Sequence, residues 1–319
     1  MSAWLLAGLL YLGSGVGLGV LMLIRHLSHG SSQEARLAGR DWQWLGLAIL
    51  FGGVLAPVLL MFGLTQTSAS TASLLLNLEV VLTAVVAWFL FKEQFDRRIA
   101  AGMLSIFAGA LVLAWDGTPD YLGLTGPLAI AAACLGWAFD NNLTRKVSLS
   151  DPLTIAMLKG AVAGTVNVLM ASFMGARLPP ISGVLLAGTV GFLGYGISLA
   201  LFVAALRHIG AARTGAYFAF APFAGALIGL LFLDDPLTPQ VIAAGLLMGF
   251  GVWLHLTENH EHKHVHVPMV HDHRHVHDEH HQHQHTEKIR QEAHSHPHRH
   301  ARLCHKHQHF PDAQHLHEH

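Results

Sequence analysis

Two charged side chains, Glu79 and Lys159, lie inside long apolar stretches of the sequence. A charge within a membrane span is costly and usually faces a cavity or a partner. At ~1.5 Å per residue, Glu79 is about 12 Å from one membrane face and Lys159 about 9 Å from the other. In a core ~30 Å thick their backbones then differ in depth by less than ~10 Å. We therefore predict that Glu79 and Lys159 line a shared cavity, that each influences the other's protonation, and that Glu79 carries a coupling proton. A structural pair, or Glu79 capping irregular helix backbone, is the alternative.

Further polar residues mark the ends and interiors of the apolar stretches. Asp140, Asn141 and Asn142 precede Arg145 and Lys146, and they predict either a polar gate on the cytoplasmic side or an ordinary helix end at the membrane interface. Four others lie within apolar stretches: Asn77, Asn167, Tyr195 and Tyr217. These side chains could hydrogen-bond a substrate, but polar groups in lipid also bridge neighbouring helices.

Nine apolar runs carry these residues, and a membrane-spanning helix needs about 20 apolar residues. The runs are 3–24, 42–64, 71–91, 99–115, 123–143, 153–174, 182–206, 214–233 and 240–256. Charged residues make up only 12% of the chain, against about 25% in soluble domains. The sequence therefore predicts an all-α integral membrane protein, a bundle of about nine transmembrane helices in a lipid bilayer. Its 19 basic and 20 acidic residues nearly balance, so charge suggests no nucleic-acid partner.

Basic residues concentrate in alternate breaks between the runs. These breaks hold Arg25, Arg36 and Arg40, then Lys92, Arg97 and Arg98, then Arg145 and Lys146, then Arg207 and Arg213. The intervening breaks contain Arg177 as their only basic residue. Because Lys and Arg favour the cytoplasmic side of a membrane, we expect a multi-pass protein of the cell (inner) membrane with its N-terminus outside and its C-terminus in the cytoplasm.

The sequence repeats itself at an offset of about 142–143 residues, where the segment 71–113 aligns with 214–254. The matched pairs are Gly52 and Gly194, Thr71 and Thr214, Glu79 and Pro222, and Gly102 and Gly245. Many transporters are built from internal repeats, with the substrate site near the bilayer midplane between them. We predict a first repeat over 1–115, a second over 123–256 and a separate tail over 257–319.

Two small-residue helices end in an acid, as FLFKE at Glu93 and as LFLDD at Asp235, and each is followed by a closing helix that contains Gly102 or Gly245. In this order of features, and in Pro222, the sequence resembles the drug/metabolite transporter superfamily in its EamA-type branch. The resemblance implies a ten-helix architecture of two five-helix repeats, here lacking the first helix, and transport of small molecules. It also implies a proline in the penultimate helix of each repeat, from which Glu79 departs.

The tail over 260–319 contains 22 of the 26 histidines. The candidate metal ligands are His262, His264, His266, His271, His273, His275, His277, His280, His281, His283 and His285. Imidazole suits nickel, zinc, cobalt and copper, and so polar a segment predicts disorder without a ligand. Low-complexity sequence with incidental metal affinity, or pH sensing, would give the same pattern, and no other cofactor is expected.

No enzyme motif is found, and without a GxxxxGK[ST] phosphate loop we expect a gradient rather than ATP to supply energy. Three hypotheses follow. The first is a secondary transporter that exports a small organic metabolite by alternating access. The second is a divalent metal efflux protein for nickel, cobalt or zinc, with the tail as collector or sensor. The third is a membrane sensor without transport. The runs offer few metal ligands besides Glu79, which favours the first hypothesis; monomer and homodimer stay open.

Overall fold

The computed structural model describes residues 2–29, 35, 37–91, 97–115 and 123–257, together with five short segments of the tail. Within these residues the chain from Ala3 to Leu256 is a bundle of apolar α-helices. Seven helical segments are long and apolar enough to cross a membrane, and each corresponds to one of the nine predicted runs. The other two runs, 123–143 and 214–233, correspond to the α-helices Thr125–Val147 and Phe220–Phe232. The predicted all-α integral membrane fold is therefore confirmed.

The first repeat contains six α-helices and one π-helical segment. They are α1 Ala3–His29, α2 Asp41–Ala48, the π segment Ile49–Leu55, α3 Ala56–Leu64, α4 Ala69–Leu75, α5 Leu78–Phe91 and α6 Arg97–Ala114. Helix α4 begins where the Ser68 hydroxyl accepts a hydrogen bond from the backbone N–H of Thr71, as N-cap residues do. The turn at Leu76 and Asn77 separates α4 from α5 inside one apolar run.

The second repeat has the same arrangement after one additional helix. It contains α7 Thr125–Val147, α8 Pro152–Phe173, α9 Ile181–Val190, the π segment Gly191–Ile197, α10 Ser198–Phe218, α11 Phe220–Phe232 and α12 Pro239–Leu256. Helices α8 and α12 each begin with proline behind a capping side chain, Asp151 and Thr238 respectively. Proline suits this first position because its missing N–H would have no intrahelical partner there.

Two predicted boundaries are wrong. Residues 207–213 were expected to form a loop, but α10 continues through them and the break lies at Ala219. This stretch contains no proline and is rich in alanine and arginine, which favour helix. The fifth run was expected to end at 143, but α7 extends to Val147. Asp140, Asn141 and Asn142 therefore lie inside a helix, where all three are buried.

Equivalent elements recur at one spacing along the chain. The π segments Ile49–Leu55 and Gly191–Ile197 are 142 residues apart, and so are α6 Arg97–Ala114 and α12 Pro239–Leu256. The turn at Asn77 likewise corresponds to the break at Ala219. The two halves thus share a backbone plan at the offset of their sequence similarity.

The halves meet along two close helix pairs, α1 with α8 and α6 with α12. A Cβ atom on Gly160 would lie 2.5 Å from the backbone nitrogen of Gly15, and one on Gly251 would lie 2.6 Å from the carbonyl oxygen of Gly102. Small residues permit this approach of helix backbones in lipid. The motif residue Gly245, in contrast, has open space where its Cβ would be.

The described parts of the tail are five short strands. They are β1 Glu261–His266, β2 Val270–His275, β3 His294–Arg299, β4 Leu303–Gln308 and β5 His317–Glu318. β1 pairs antiparallel with β4 and β5, and β2 pairs antiparallel with β3. The alternation of histidine with other residues in these segments has the two-residue period of a strand. The candidate ligands His277, His280, His281, His283 and His285 lie outside the described residues.

Candidate functional site

A cavity of about 350 Å³ lies between the two repeats, within the size range of small-molecule sites. It is lined by α1, α3, α4, α5 and α7 together with the second π segment, α10 and α11. Its polar lining consists of Tyr11, Ser73, Glu79, Thr83, Asp140, Asn141, Tyr195 and Ser198. Four of the predicted site residues, Glu79, Asp140, Asn141 and Tyr195, therefore meet in one place.

Beside this cavity Lys159 pairs with Asp140. The Lys159 Nζ atom donates to Asp140 Oδ1 at 2.5 Å and to Oδ2 at 2.8 Å, and it also lies 3.1 Å from the Thr144 hydroxyl. That hydroxyl in turn donates to Asp140 Oδ1 at 2.8 Å. Lys159 is only 2% exposed. We predicted that Lys159 and Glu79 line one cavity; the lining includes Glu79, whereas the Lys159 ammonium is held by Asp140 of the adjacent helix α7.

Glu79 lies in the first turn of α5, directly after the turn that separates α4 from α5. Its Oε1 atom accepts a hydrogen bond of 2.7 Å from the Asn141 amide, which also lies 3.3 Å from the Thr83 hydroxyl. A helix N-terminus favours negative charge, so the break in the helix provides a suitable position for this carboxylate. Glu79 thus contacts an amide and the cavity, whereas the Lys159 ammonium is held by Asp140.

Asn77, Asn142 and Asn167 are buried and hold the helix backbone, and the cavity lining does not include them. Asn77 donates to the Leu74 carbonyl at 3.2 Å beside the helix break. Asn142 donates to the carbonyls of Thr83 and Ala138 at 3.0 and 2.9 Å. Asn167 donates to the Gly53 carbonyl at 2.8 Å. The bonds of Asn142 to Thr83 and of Asn167 to Gly53 join different helices, whereas the Asn77 bond to Leu74 is local.

The first π segment is fixed by three side chains from other helices. The Gly52 carbonyl accepts hydrogen bonds from the Tyr11 hydroxyl at 2.9 Å and from Trp137 Nε1 at 3.1 Å, while Asn167 binds the Gly53 carbonyl. A π-helical turn leaves carbonyls outside the usual α-helical pattern and often occurs at functional sites. Tyr11 and Trp137 both line the cavity, so the same contacts also orient two of its aromatic rings.

The sequence reasoning missed Tyr11, Trp137, Thr83 and Thr144. The spacing of the two threonines was a usable signal, since Thr83 follows Glu79 by four residues and Thr144 follows Asp140 by four residues. Residues four apart are neighbours on one face of a helix. For Tyr11 and Trp137 the sequence offered no comparable signal, because aromatic residues are common throughout the apolar runs.

The two predicted tyrosines separate. Tyr195 lines the cavity, with its ring centroid 5.0 Å from that of Tyr11. Tyr217 is 59% exposed, and the cavity lining does not include it. The structure therefore places one of these residues at the site and the other on the outer surface of α10.

The motif residues near the end of the second repeat have distinct positions. Pro222 is buried in α11 and lines the cavity. Asp235 accepts a hydrogen bond of 2.6 Å from the backbone N–H of Ser70, which joins the end of α11 to the start of α4 in the other repeat. Glu93, its counterpart by motif, lies outside the described residues. In the part of the chain where side chains are described, no group of three His, Cys, Asp or Glu could hold a metal ion.

Comparison with known proteins gives one family and several relatives. A family model described as the EamA-like transporter family matches residues 2–115 and 124–257. An uncharacterized transporter of Methanothermobacter thermautotrophicus is 28% identical over 73% of this chain and 69% of its own length. The uncharacterized transporter YyaM of Bacillus subtilis is 23% identical over 73% of this chain and 79% of its own.

A shorter relative matches about one repeat's length. The probable 4-amino-4-deoxy-L-arabinose-phosphoundecaprenol flippase subunit ArnE of Pseudomonas aeruginosa is 37% identical over 35% of this chain and 95% of its own length. One crystal structure has a TM-score of 0.63 at 18% identity and covers 81% of this chain and 89% of its own. Similarity at that identity supports the fold alone.

Proposed function

Since the chain belongs to the EamA-like transporter family, we propose that this transporter is a secondary one that exports a small organic metabolite by alternating access. The observation that carries the proposal is the cavity between the two repeats, with Glu79 in its wall. A site between internal repeats can open to either side as one repeat moves against the other.

The cavity has both a fixed part and a part suited to proton exchange. Asp140 and Lys159 are paired and buried, and breaking such a pair is strongly unfavourable. Glu79 has an amide as its hydrogen-bond partner and faces the cavity. We propose that Glu79 gains and loses the coupling proton during the transport cycle, while the Asp140–Lys159 pair stays intact.

An organic substrate agrees better with the described residues than a metal ion. No metal-binding group is found among the described side chains, whereas the cavity combines a few polar groups with apolar walls. The name of the relative ArnE is that of a flippase subunit for an amino-sugar lipid, which is also an organic molecule. From the alternation of basic residues we further propose that the protein lies in the inner membrane with its tail in the cytoplasm.

Transport of solutes from cells tests the function. Cells that produce the wild-type protein should release at least one small organic solute faster than cells without it, and release should depend on the external pH. Glu79→Gln should abolish the pH dependence, since the amide cannot exchange a proton. Asp234→Asn is the matched control, because it removes one negative charge from an exposed position outside the cavity. Unchanged pH dependence in Glu79→Gln would contradict proton coupling, and no solute released by the wild type would contradict export.

We also propose that the tail binds divalent metal ions such as nickel, zinc, cobalt or copper, separately from transport. Its backbone pairing sets histidines opposite one another in both sheets. The pairs are His262 with His307, His264 with His305, His271 with His298, His273 with His296 and His275 with His294, while His266 is opposite Leu303 and His317. Histidines near one another in pairs suit ions that prefer imidazole.

Equilibrium dialysis of the purified protein against nickel chloride tests this second proposal. The full chain should bind several nickel ions, and a chain ending at residue 259 should bind none with comparable affinity. Solute export by the shortened chain should match the full chain. Metal resistance of cells that requires both the tail and an intact Glu79 would instead support metal efflux, and resistance from the tail alone would show metal buffering.

A further inference from the structure

The charges that line the cavity are negative. Glu79 and Asp140 are its two carboxylates, and the lining contains no lysine, arginine or histidine among the described residues. Lys159, which lies behind the lining, donates to both oxygens of Asp140. The Asp140 charge is therefore matched by a cation, and Glu79 is left as the carboxylate available to a bound molecule.

Three of the hydrogen-bond donors at this site are already occupied. Tyr11 and Trp137 donate to the same Gly52 carbonyl, and the Asn141 amide donates to Glu79. An anionic ligand needs free donors or cations to replace its water. The remaining donors are neutral hydroxyl groups, including those of Ser73, Tyr195 and Ser198. An anionic ligand would therefore lie beside the Glu79 charge with no cation in the lining to balance its own charge.

Aromatic rings form much of the remaining wall. Tyr11, Trp137, Tyr195, Phe202 and Phe218 all line the cavity. Tyr11 and Trp137 are fixed by their bonds to Gly52, and the Tyr11 and Tyr195 rings lie against each other with centroids 5.0 Å apart. The face of an aromatic ring attracts cations, most strongly when water is excluded, so these rings add to the attraction of Glu79 for positive charge.

We infer that the cavity binds a monovalent organic cation, an amine or a quaternary ammonium with an apolar body. This inference rests on the proposed function, since it names the substrate class of the same site. The cationic nitrogen lies against Glu79, and the apolar body lies against the rings of α1, α7 and α10. The Asp140–Lys159 pair keeps the site at one net negative charge, which sets the preference for a single positive charge.

Binding to purified protein, without any gradient, tests the inference. Benzyltrimethylammonium is the cationic probe, and phenylmethanesulfonate is an anion with the same ring. Equilibrium dialysis with radiolabelled probes should show saturable binding of the cation to wild-type protein and at least tenfold weaker binding to Glu79→Gln. The control Asp234→Asn should bind like the wild type. The sulfonate should bind at least tenfold more weakly than the cation.

A second substitution separates a binding effect from misfolding. Phe202→Leu keeps an apolar side chain in the wall but removes a ring, and it should weaken cation binding several-fold while the melting temperature of the protein stays within a few degrees. Equal binding of the sulfonate and the cation, or a Glu79→Gln variant that melts normally and binds the cation like the wild type, would overturn the inference. Export of another solute without cation binding would also overturn it while leaving the proposed function intact. Cation binding without export of any solute would support the inference and contradict the proposed function.

Discussion

The two repeats carry different chemistry at equivalent positions of one backbone plan. Glu79 in α5 and Pro222 in α11 are matched by the repeat, and both line the cavity. Lys159 in α8 corresponds, at the offset of 142 residues, to Gly17 in α1. In each matched pair the repeated backbone places both residues at equivalent positions, but only one of the two residues is ionisable.

The two π segments differ in the same way. Ile49–Leu55 is held by hydrogen bonds from Tyr11, Trp137 and Asn167 to its carbonyls. Gly191–Ile197 instead contributes Gly194 and Tyr195 to the cavity lining. The first segment therefore serves as a fixed support and the second as part of the binding surface, although the backbone of both departs from the α-helix at the same point.

The largest effect should come from the charged pair, which belongs to the second repeat alone. Asp140→Asn leaves Lys159 as a buried cation without its carboxylate, and loss of one partner from a buried pair costs ~3–5 kcal/mol. We expect a large fall in melting temperature of the detergent-solubilised protein. The double variant Asp140→Leu with Lys159→Met, which removes both charges, should recover most of the loss.

A single variant as stable as the wild type would show that the pair contributes little to folding. The presence of Lys159 in the second repeat, where the first repeat has Gly17, would then have to be explained by a role in transport alone. An equally unstable double variant would indicate that packing around Asp140, rather than charge, determines the stability of this wall.

A smaller effect should separate the two glycines that the repeat matches, Gly52 and Gly194. A Cβ atom on Gly52 would overlap the Asp140 carboxylate, whereas one on Gly194 meets no atom within 4 Å. Gly52→Ala should therefore destabilise the protein by ~1–3 kcal/mol, as overpacking does. Gly194→Ala should leave stability within ~0.5 kcal/mol and weaken substrate binding instead, because its methyl group enters the cavity.

Thermal melting and the dialysis assay, applied to both glycine variants, give the measurement. Equal loss of stability in both would mean that the second π segment is packed as tightly as the first. The distinction between a support and a binding surface would then fail.

The overall fold could be predicted from the sequence because its causes are local. Nine apolar runs, the alternation of basic residues and the repeat at about 142 residues fixed the helices to within a few positions. The exception is 207–213, where the basic residues predict a loop but the backbone of α10 continues as a helix.

The site could be predicted only in part. Polar residues in apolar runs identified Glu79, Asp140, Asn141 and Tyr195, but the pairing of Lys159 depended on where α7 ends and on which helix lies beside α8. Such contacts form between helices that are distant in the sequence, and no periodic pattern of residues predicts them. The roles of Tyr11 and Trp137 depend on the π segment, since its carbonyls become acceptors only after the helix departs from its regular pattern.

The smallest effect should distinguish the two tyrosines whose rings are in contact, Tyr11 and Tyr195. Tyr11→Phe removes the hydroxyl that donates to the Gly52 carbonyl, and a typical hydrogen bond contributes ~0.5–1.5 kcal/mol. Trp137 remains bound to the same carbonyl, so the loss should lie at the low end of that range. Tyr195→Phe should change stability less, because Tyr195 is only partly buried and the second π segment, to which it belongs, lines the cavity. Melting of the two variants side by side measures the difference, and a larger loss in Tyr195→Phe would place the structural support in the second repeat instead.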